Sequence, residues 1–148
     1  MSLSYIILTA AAWAIFFCAV RPREWHRYYP QRLFGALLGT LFDLIGVVTF
    51  QWHYLGPTTG GLSLWSDLGV APAEAGLFTW SLRRLGRWPG AVWAFWILGN
   101  TLGELVFMRR GWIVYGHWRP LKALVFYVVY FLCLRMHLIL LDWLEGRM

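Results

Sequence analysis

Apolar residues run along this chain in long blocks, with polar residues gathered between them. Leu3–Val20 contains no charged residue. As a helix it is roughly 27 Å long at ~1.5 Å per residue, just enough to cross a hydrocarbon core. Leu33–Trp52 is a second block, interrupted only by Asp43. Gly61–Leu82 is long enough to cross but carries Asp67, Pro72 and Glu74. Pro89–Met108 holds one acid, Glu104, and Leu121–Leu144 holds Arg135, His137 and Asp142. The pattern predicts an all-α integral membrane protein, a bundle of five transmembrane helices at about 3–20, 33–52, 61–82, 89–108 and 121–144. No linker, low-complexity tract or repeat divides residues 1–148, so one domain is expected. Four spans is the alternative, with Gly61–Leu82 re-entrant or interfacial. Five is preferred, because two acids can cross if they face the bundle.

The polar segments set the topology. Arg21–Arg32 interleaves Trp25, Tyr28 and Tyr29 with Arg21, Arg23, Arg27 and Arg32, a composition suited to the headgroup layer. Arg83–Trp88 and Arg109–Pro120 are further basic loops, whereas His53–Gly60 has no Lys or Arg. With the N-terminus outside, five spans place eight basic residues inside and four outside; four spans give the same division. Cytoplasmic loops carry the excess of Lys and Arg. The rule therefore puts the N-terminus outside without choosing the span count. No positive charge precedes Leu3 and bulky Phe17 precedes Cys18. The first block thus reads as a retained span rather than a cleaved signal or a lipoprotein leader.

Composition removes the competing classes. Of 148 residues, 59% are apolar and 14% charged, against roughly 25% charged in an average soluble chain. Mean hydropathy is +0.55. A chain that is 19% aromatic with 11 Trp is not a disordered one. Two Cys, both inside apolar blocks, make no disulfide scaffold and read as small buried hydrophobes. The net charge of +6 comes from short clusters between spans and matches no nucleic-acid-binding pattern.

Small residues mark packing faces. Gly35, Gly39, Asp43 and Gly46 recur every three to four residues and share one helix face. Such faces let helix backbones approach closely in lipid. Gly99 and Gly103 repeat the device in the fourth span, with Asn100 one turn before Glu104. Gly69, Ala73 and Gly76 give the third stretch a similar face.

Charge inside a bilayer costs about 2.5–3.5 kcal/mol per group on insertion scales, so it is retained when paired or used. Asp43, Glu74 and Arg135 fall near the middle of their spans. An Asp43–Arg135 or Glu74–Arg135 pair that fixes helix register is the economical expectation; a proton or substrate pathway is the alternative. Asp67, Glu104, His53 and His117 fall toward the outer end in a five-span topology. Two acids and two histidines there can relay protons or bind a metal, but their spacing is no metal motif. Two intramembrane histidines at matching depth, which a b-type haem requires, are not present; His137 alone lies inside a span. No cofactor is predicted. No hydrolase, di-iron or prenyl-diphosphate signature appears, so the chain is read as leaning away from an enzyme.

The stretches RPREWHRYYPQRLF, GTLFDLIG, GNTLGELVF and LCLRMHLILLDWL resemble an uncharacterised family of short polytopic membrane proteins common in spore-forming bacteria. The matching positions are Trp25, Tyr28, Pro30, Leu33, Phe34, Asp43, Glu104, Leu134, Arg135, His137 and Trp143. The chain departs from the family at Gly116–Arg119, where an H-N-G-W run is usual. It departs again at Leu138–Leu141, which is apolar where the family is basic. The resemblance implies five spans, a bacterial cytoplasmic (inner) membrane, and no particular reaction. The expected role is a structural or accessory subunit packing in the bilayer on itself, as a homo-oligomer, or on a partner membrane subunit. The alternatives are an oligomeric small-solute or proton-coupled transporter or channel using the intramembrane carboxylates, and a membrane enzyme or haem or metal protein using the His/acid cluster.

Overall fold

The computed structural model describes residues 2–50, 53–54, 63, 65–114 and 120–146. Five long helices dominate them: α1 (Ser2–Ala19), α2 (Tyr29–Phe50), α3 (Ala71–Arg84), α4 (Pro89–Arg109) and α5 (Pro120–Leu144). A 3-10 segment, Pro22–Tyr28, joins α1 to α2, and a π-helical turn, Trp65–Val70, leads into α3. Two short strands, β1 (His53–Tyr54) and β2 (Ile113–Val114), pair antiparallel with His53 opposite Val114 and Tyr54 opposite Ile113.

Three helical stretches are long and apolar enough to cross a membrane: Pro22–Phe50, Pro89–Arg109 and Leu121–Leu144. Tyr5–Ala19 is a shorter apolar helix. Helix α2 starts at Tyr29, before the apolar block at Leu33, because Pro30 fits a first helical turn, where its missing N–H is not needed. The π-helical turn before α3 has a cause in Pro72. Proline has no N–H for the upstream carbonyl, and its ring crowds the residue four back, so the chain winds wider through Trp65–Val70.

Neighbouring helices alternate in direction. Gly39 faces Ala71 and Gly35 faces Ala75, so α2 and α3 run antiparallel. Thr9 meets Gly69 and Phe16 meets Gly76, so α1 and α3 run parallel. Trp93 packs on Phe78 and Asn100 bonds Glu74, which sets α4 antiparallel to α3. Phe42 meets Phe126 while Gln31 bonds Leu134, which sets α5 antiparallel to α2. One end of the bundle therefore gathers Tyr5, β1, β2 and the start of α5. The other gathers the 22–28 connector, Arg83, Arg84 and the end of α5.

The α2–α3 contact is the tightest. A Cβ on Gly35 would collide with the Ala75 Cβ and lie 3.1 Å from the Ala71 carbonyl oxygen; one on Gly39 would lie 2.9 Å from the Ala71 Cβ. Gly46 is buried on the same helix face. The fourth helix differs from expectation. A Cβ added at Gly99 or Gly103 would meet nothing within 4 Å. These glycines do not seat a neighbouring helix; they widen a cavity.

Around these contacts Phe78, Phe131, Leu134 and Leu138 form the main core. Phe16, Val20, Tyr28 and Leu77 form a second cluster beneath the connector. Polar side chains inside the helices turn back on their own carbonyls, as Thr40 does to Ala36 at 2.9 Å and Thr101 to Ile97 at 2.8 Å. Gln31 is fully buried and ties α2 to α5: its Nε2 donates to the Leu134 carbonyl at 2.5 Å, and its Oε1 lies 2.6 Å from His137 Nδ1. Phe34 stacks on the same imidazole at 4.1 Å.

Candidate functional site

A cavity of about 360 Å³ opens between the helices toward the hairpin end. Asp67, Glu74 and Glu104 line it, and Asp43 adjoins it through Asp67 and Tyr54. The four acids come from α2, the π-helical turn, α3 and α4. Each is placed by its own element. Asp43 rides on the glycine face of α2, one turn beyond Gly39, which brings it to the start of α3. The wide π turn points Asp67 inward, where it is 3% exposed. Glu74 stands in the first turn of α3, and Glu104 on the face of α4 left open by Gly99 and Gly103.

The carboxyl groups of Asp43 and Asp67 lie side by side, with the Ser63 backbone N–H also beside Asp43. The Tyr54 hydroxyl donates to Asp43 Oδ1 at 2.6 Å. Asp43 Oδ2 is buried and has no hydrogen-bond partner among the described residues. Two carboxyl groups sharing one buried site do not both ionise readily, and a proton shared between them would supply a donor there. Glu74 accepts a hydrogen bond from Asn100 Nδ2, whose amide also donates to the Trp96 carbonyl at 2.9 Å. Burial and the Asp43 carboxylate together push the Tyr54 phenol well above its usual range, so it stays a donor.

Two further features equip the cavity for a ligand. Aromatic side chains form much of its wall, among them Phe95, Trp96, Phe107, Tyr127 and Tyr130. The Tyr130 hydroxyl is buried and has no hydrogen-bond partner among the described residues. No Lys, Arg or His lines the cavity among the described residues.

The expected pairs with Arg135 do not form. Asp43 takes Tyr54 and Asp67 as partners, and Glu74 takes Asn100. Arg135 is half-buried on α5, away from the cavity lining. A peripheral ion pair does form, Arg83 Nη2 to Asp142 Oδ1 at 2.5 Å. His137 stands with Gln31 and Phe34, apart from the acids. His53 is described only as backbone of β1, and His117 lies outside the described residues. Among the described residues no three His, Cys, Asp or Glu side chains converge as metal ligands.

Sequence reasoning singled out all four acids but missed Tyr54 and Tyr130. Tyr54 lies past the end of a predicted span, and only the β1–β2 pairing folds it back. Tyr127 and Tyr130 did carry a signal: two tyrosines three residues apart, well inside the last apolar block rather than at its ends.

No family model matches this chain, and no curated protein or solved structure shows significant similarity to it.

Proposed function

We propose that this chain is a five-span protein of a bacterial cytoplasmic membrane, of the kind its connector motif resembles, and that its acidic cavity exchanges protons for a small organic cation. The alternating helix directions support five crossings. The continuous helical run Trp65–Arg84 is about 30 Å long at ~1.5 Å per residue, as long as the core is thick. Arg21, Arg23, Arg27, Arg32, Arg83, Arg84 and Arg87 gather at one end, which the positive-inside rule assigns to the cytoplasm and which leaves the N-terminus outside.

The observation that carries the function is the gathering of three carboxyl groups, Asp67, Glu74 and Glu104, on one aromatic cavity, with a fourth, Asp43, adjoining it. Held as neutral acids they tolerate the low dielectric; ionised, they attract a positive solute. Aromatic faces add cation–π attraction, worth about 0.5–2 kcal/mol per ring. Proton and cation then compete for the same oxygens, which is the coupling an exchanger needs. A homo-oligomer or a partner subunit would complete a path that five short helices do not enclose alone.

Uptake of radiolabelled tetraethylammonium into proteoliposomes with an acidic interior tests this. The proposal expects uptake faster than into protein-free vesicles, and its loss in Glu74→Gln and Asp67→Asn. Uptake at the protein-free rate returns the chain to the role of a structural or accessory subunit.

A further inference from the structure

The connector end carries a second pocket, of about 260 Å³, on the opposite side of the bundle from the hairpin. Arg21, Arg27, Arg83 and Arg84 line it, with Glu24 as the one acid and Tyr28 and Trp80 as its aromatic wall. Arg83 is already engaged by Asp142. Arg21, Arg27 and Arg84 are exposed, and three guanidinium groups against one carboxylate leave the pocket positively charged.

An apolar trough of about 780 Å³ begins beside that pocket; Ala19 and Trp80 belong to both. The trough runs between α1 and α4 over the surface of α3. Ala11 and Ala12 on α1 and Ala91 on α4 keep its walls low, and its lining is almost wholly apolar. Along α1 it extends from Ala19 to Leu8. That is about 16 Å at ~1.5 Å per residue, half of the ~30 Å hydrocarbon core and the depth of one leaflet.

We infer that the pocket and trough together hold one anionic phospholipid, its phosphate between Arg21, Arg27 and Arg84 and one acyl chain along α1 and α4. Glu74, Phe95 and Trp96 line both the trough and the acidic cavity, but the inference rests on the arginine pocket and does not depend on the cation reading of that cavity. Any lipid tail can fill an apolar trough in a bilayer, because tails and leucines are equally apolar. Selection falls to the head. Guanidinium groups bind phosphate oxygens through paired, charge-assisted hydrogen bonds. A zwitterionic head brings an ammonium group against the same arginines and is disfavoured. The arginine end is also the end that the charge bias places in the cytoplasmic leaflet, where anionic lipids are concentrated.

The test uses the full-length protein in mild detergent, with bound lipid counted by native mass spectrometry. Dioleoyl phosphatidylglycerol, dioleoyl phosphatidylcholine and inorganic phosphate are titrated separately and in competition. One phosphatidylglycerol per chain is expected, at least about tenfold tighter than phosphatidylcholine, the ratio that ~1.4 kcal/mol of head-group preference produces. Arg27→Gln combined with Arg84→Gln is expected to erase that ratio; both residues are exposed, so the variant folds. Ala12→Trp is expected to weaken both lipids and leave the ratio unchanged. Equal retention of the two lipids, or a ratio unmoved in the double arginine variant, overturns the inference. Inorganic phosphate displacing the lipid at comparable concentration overturns it too, and makes the pocket a site for a free anion.

Discussion

Asp43 and Asp67 lie side by side across the α2–α3 contact, with the Tyr54 hydroxyl held 2.6 Å from Asp43 Oδ1. The approach depends on glycine. Gly39 stands one turn before Asp43, and a Cβ there would already lie 2.9 Å from the Ala71 Cβ. Close backbone approach, a π-helical turn and a pair of adjoining carboxyl groups are thus parts of one arrangement.

The two aspartates are expected to respond differently to substitution. Asn at position 67 can still donate toward Asp43, so Asp67→Asn is expected to change stability by less than about 1 kcal/mol. Asp43→Leu strands the Tyr54 hydroxyl and the Asp67 carboxyl in a buried site. A cost of about 2–4 kcal/mol is expected, from one unsatisfied hydroxyl and one unpaired acid. Unfolding in mixed detergent micelles with increasing dodecyl sulfate measures both; equal losses would show that the two carboxyls do not form a unit.

Glycines with the same spacing are expected to behave in opposite ways. Gly35→Ala forces a methyl into the Ala75 side chain and is expected to cost about 1–3 kcal/mol. Gly99→Ala and Gly103→Ala meet open space and are expected to be neutral or stabilising by up to about 1 kcal/mol. Midpoints of thermal unfolding for the three variants check this ordering.

Asn100 is the donor that holds Glu74. Asn100→Leu is expected to destabilise the protein by about 1–3 kcal/mol, since the Glu74 carboxyl loses its partner while still partly buried. Glu74→Gln retains an acceptor for Asn100 and is expected to cost less. A double-mutant cycle on Asn100→Leu and Glu74→Leu, each of which removes the contact, reads the coupling directly; a coupling near zero contradicts the contact.

Tyr54 predicts a pH dependence on the alkaline side. Burial first, and the Asp43 carboxylate next, raise its phenol above the ordinary value of 10.0. Below that pH the folded and unfolded chains both keep the proton, and the contribution to stability is complete. As pH rises further the unfolded chain releases the proton first, so stability falls. Stability measured from pH 9 upward is expected to decline less steeply in Tyr54→Phe than in the wild type, about 9 being the edge of tyrosine titration.

Much of the bundle could be read from the sequence because long apolar blocks leave few choices of structure. Apolar blocks that long are satisfied only as helices, and the Gly35–Gly39 face needs a close neighbour. The carboxylates stood out for the same reason: Asp43, Glu74 and Glu104 are conspicuous against apolar surroundings. Their partners did not stand out. An arginine within a span is the obvious mate for an acid, yet Arg135 does not line the cavity and Tyr54 of β1 takes the place expected for it. The glycine signal failed at Gly99 and Gly103 because a residue without a side chain serves equally to admit a helix or to leave room. Only the position of the neighbour distinguishes the two.

Infrared difference spectroscopy of the protonated carboxyl C=O stretch, recorded on the protein in lipid bilayers across a pH titration, tests the central claim most directly. The account predicts carboxylic-acid bands that persist at neutral pH, shift in heavy water, and lose intensity in Asp67→Asn and Glu74→Gln. Tetraethylammonium should diminish the same bands in the wild type. A spectrum whose carboxyl groups are all ionised at neutral pH, unchanged by the cation and by both substitutions, would contradict it.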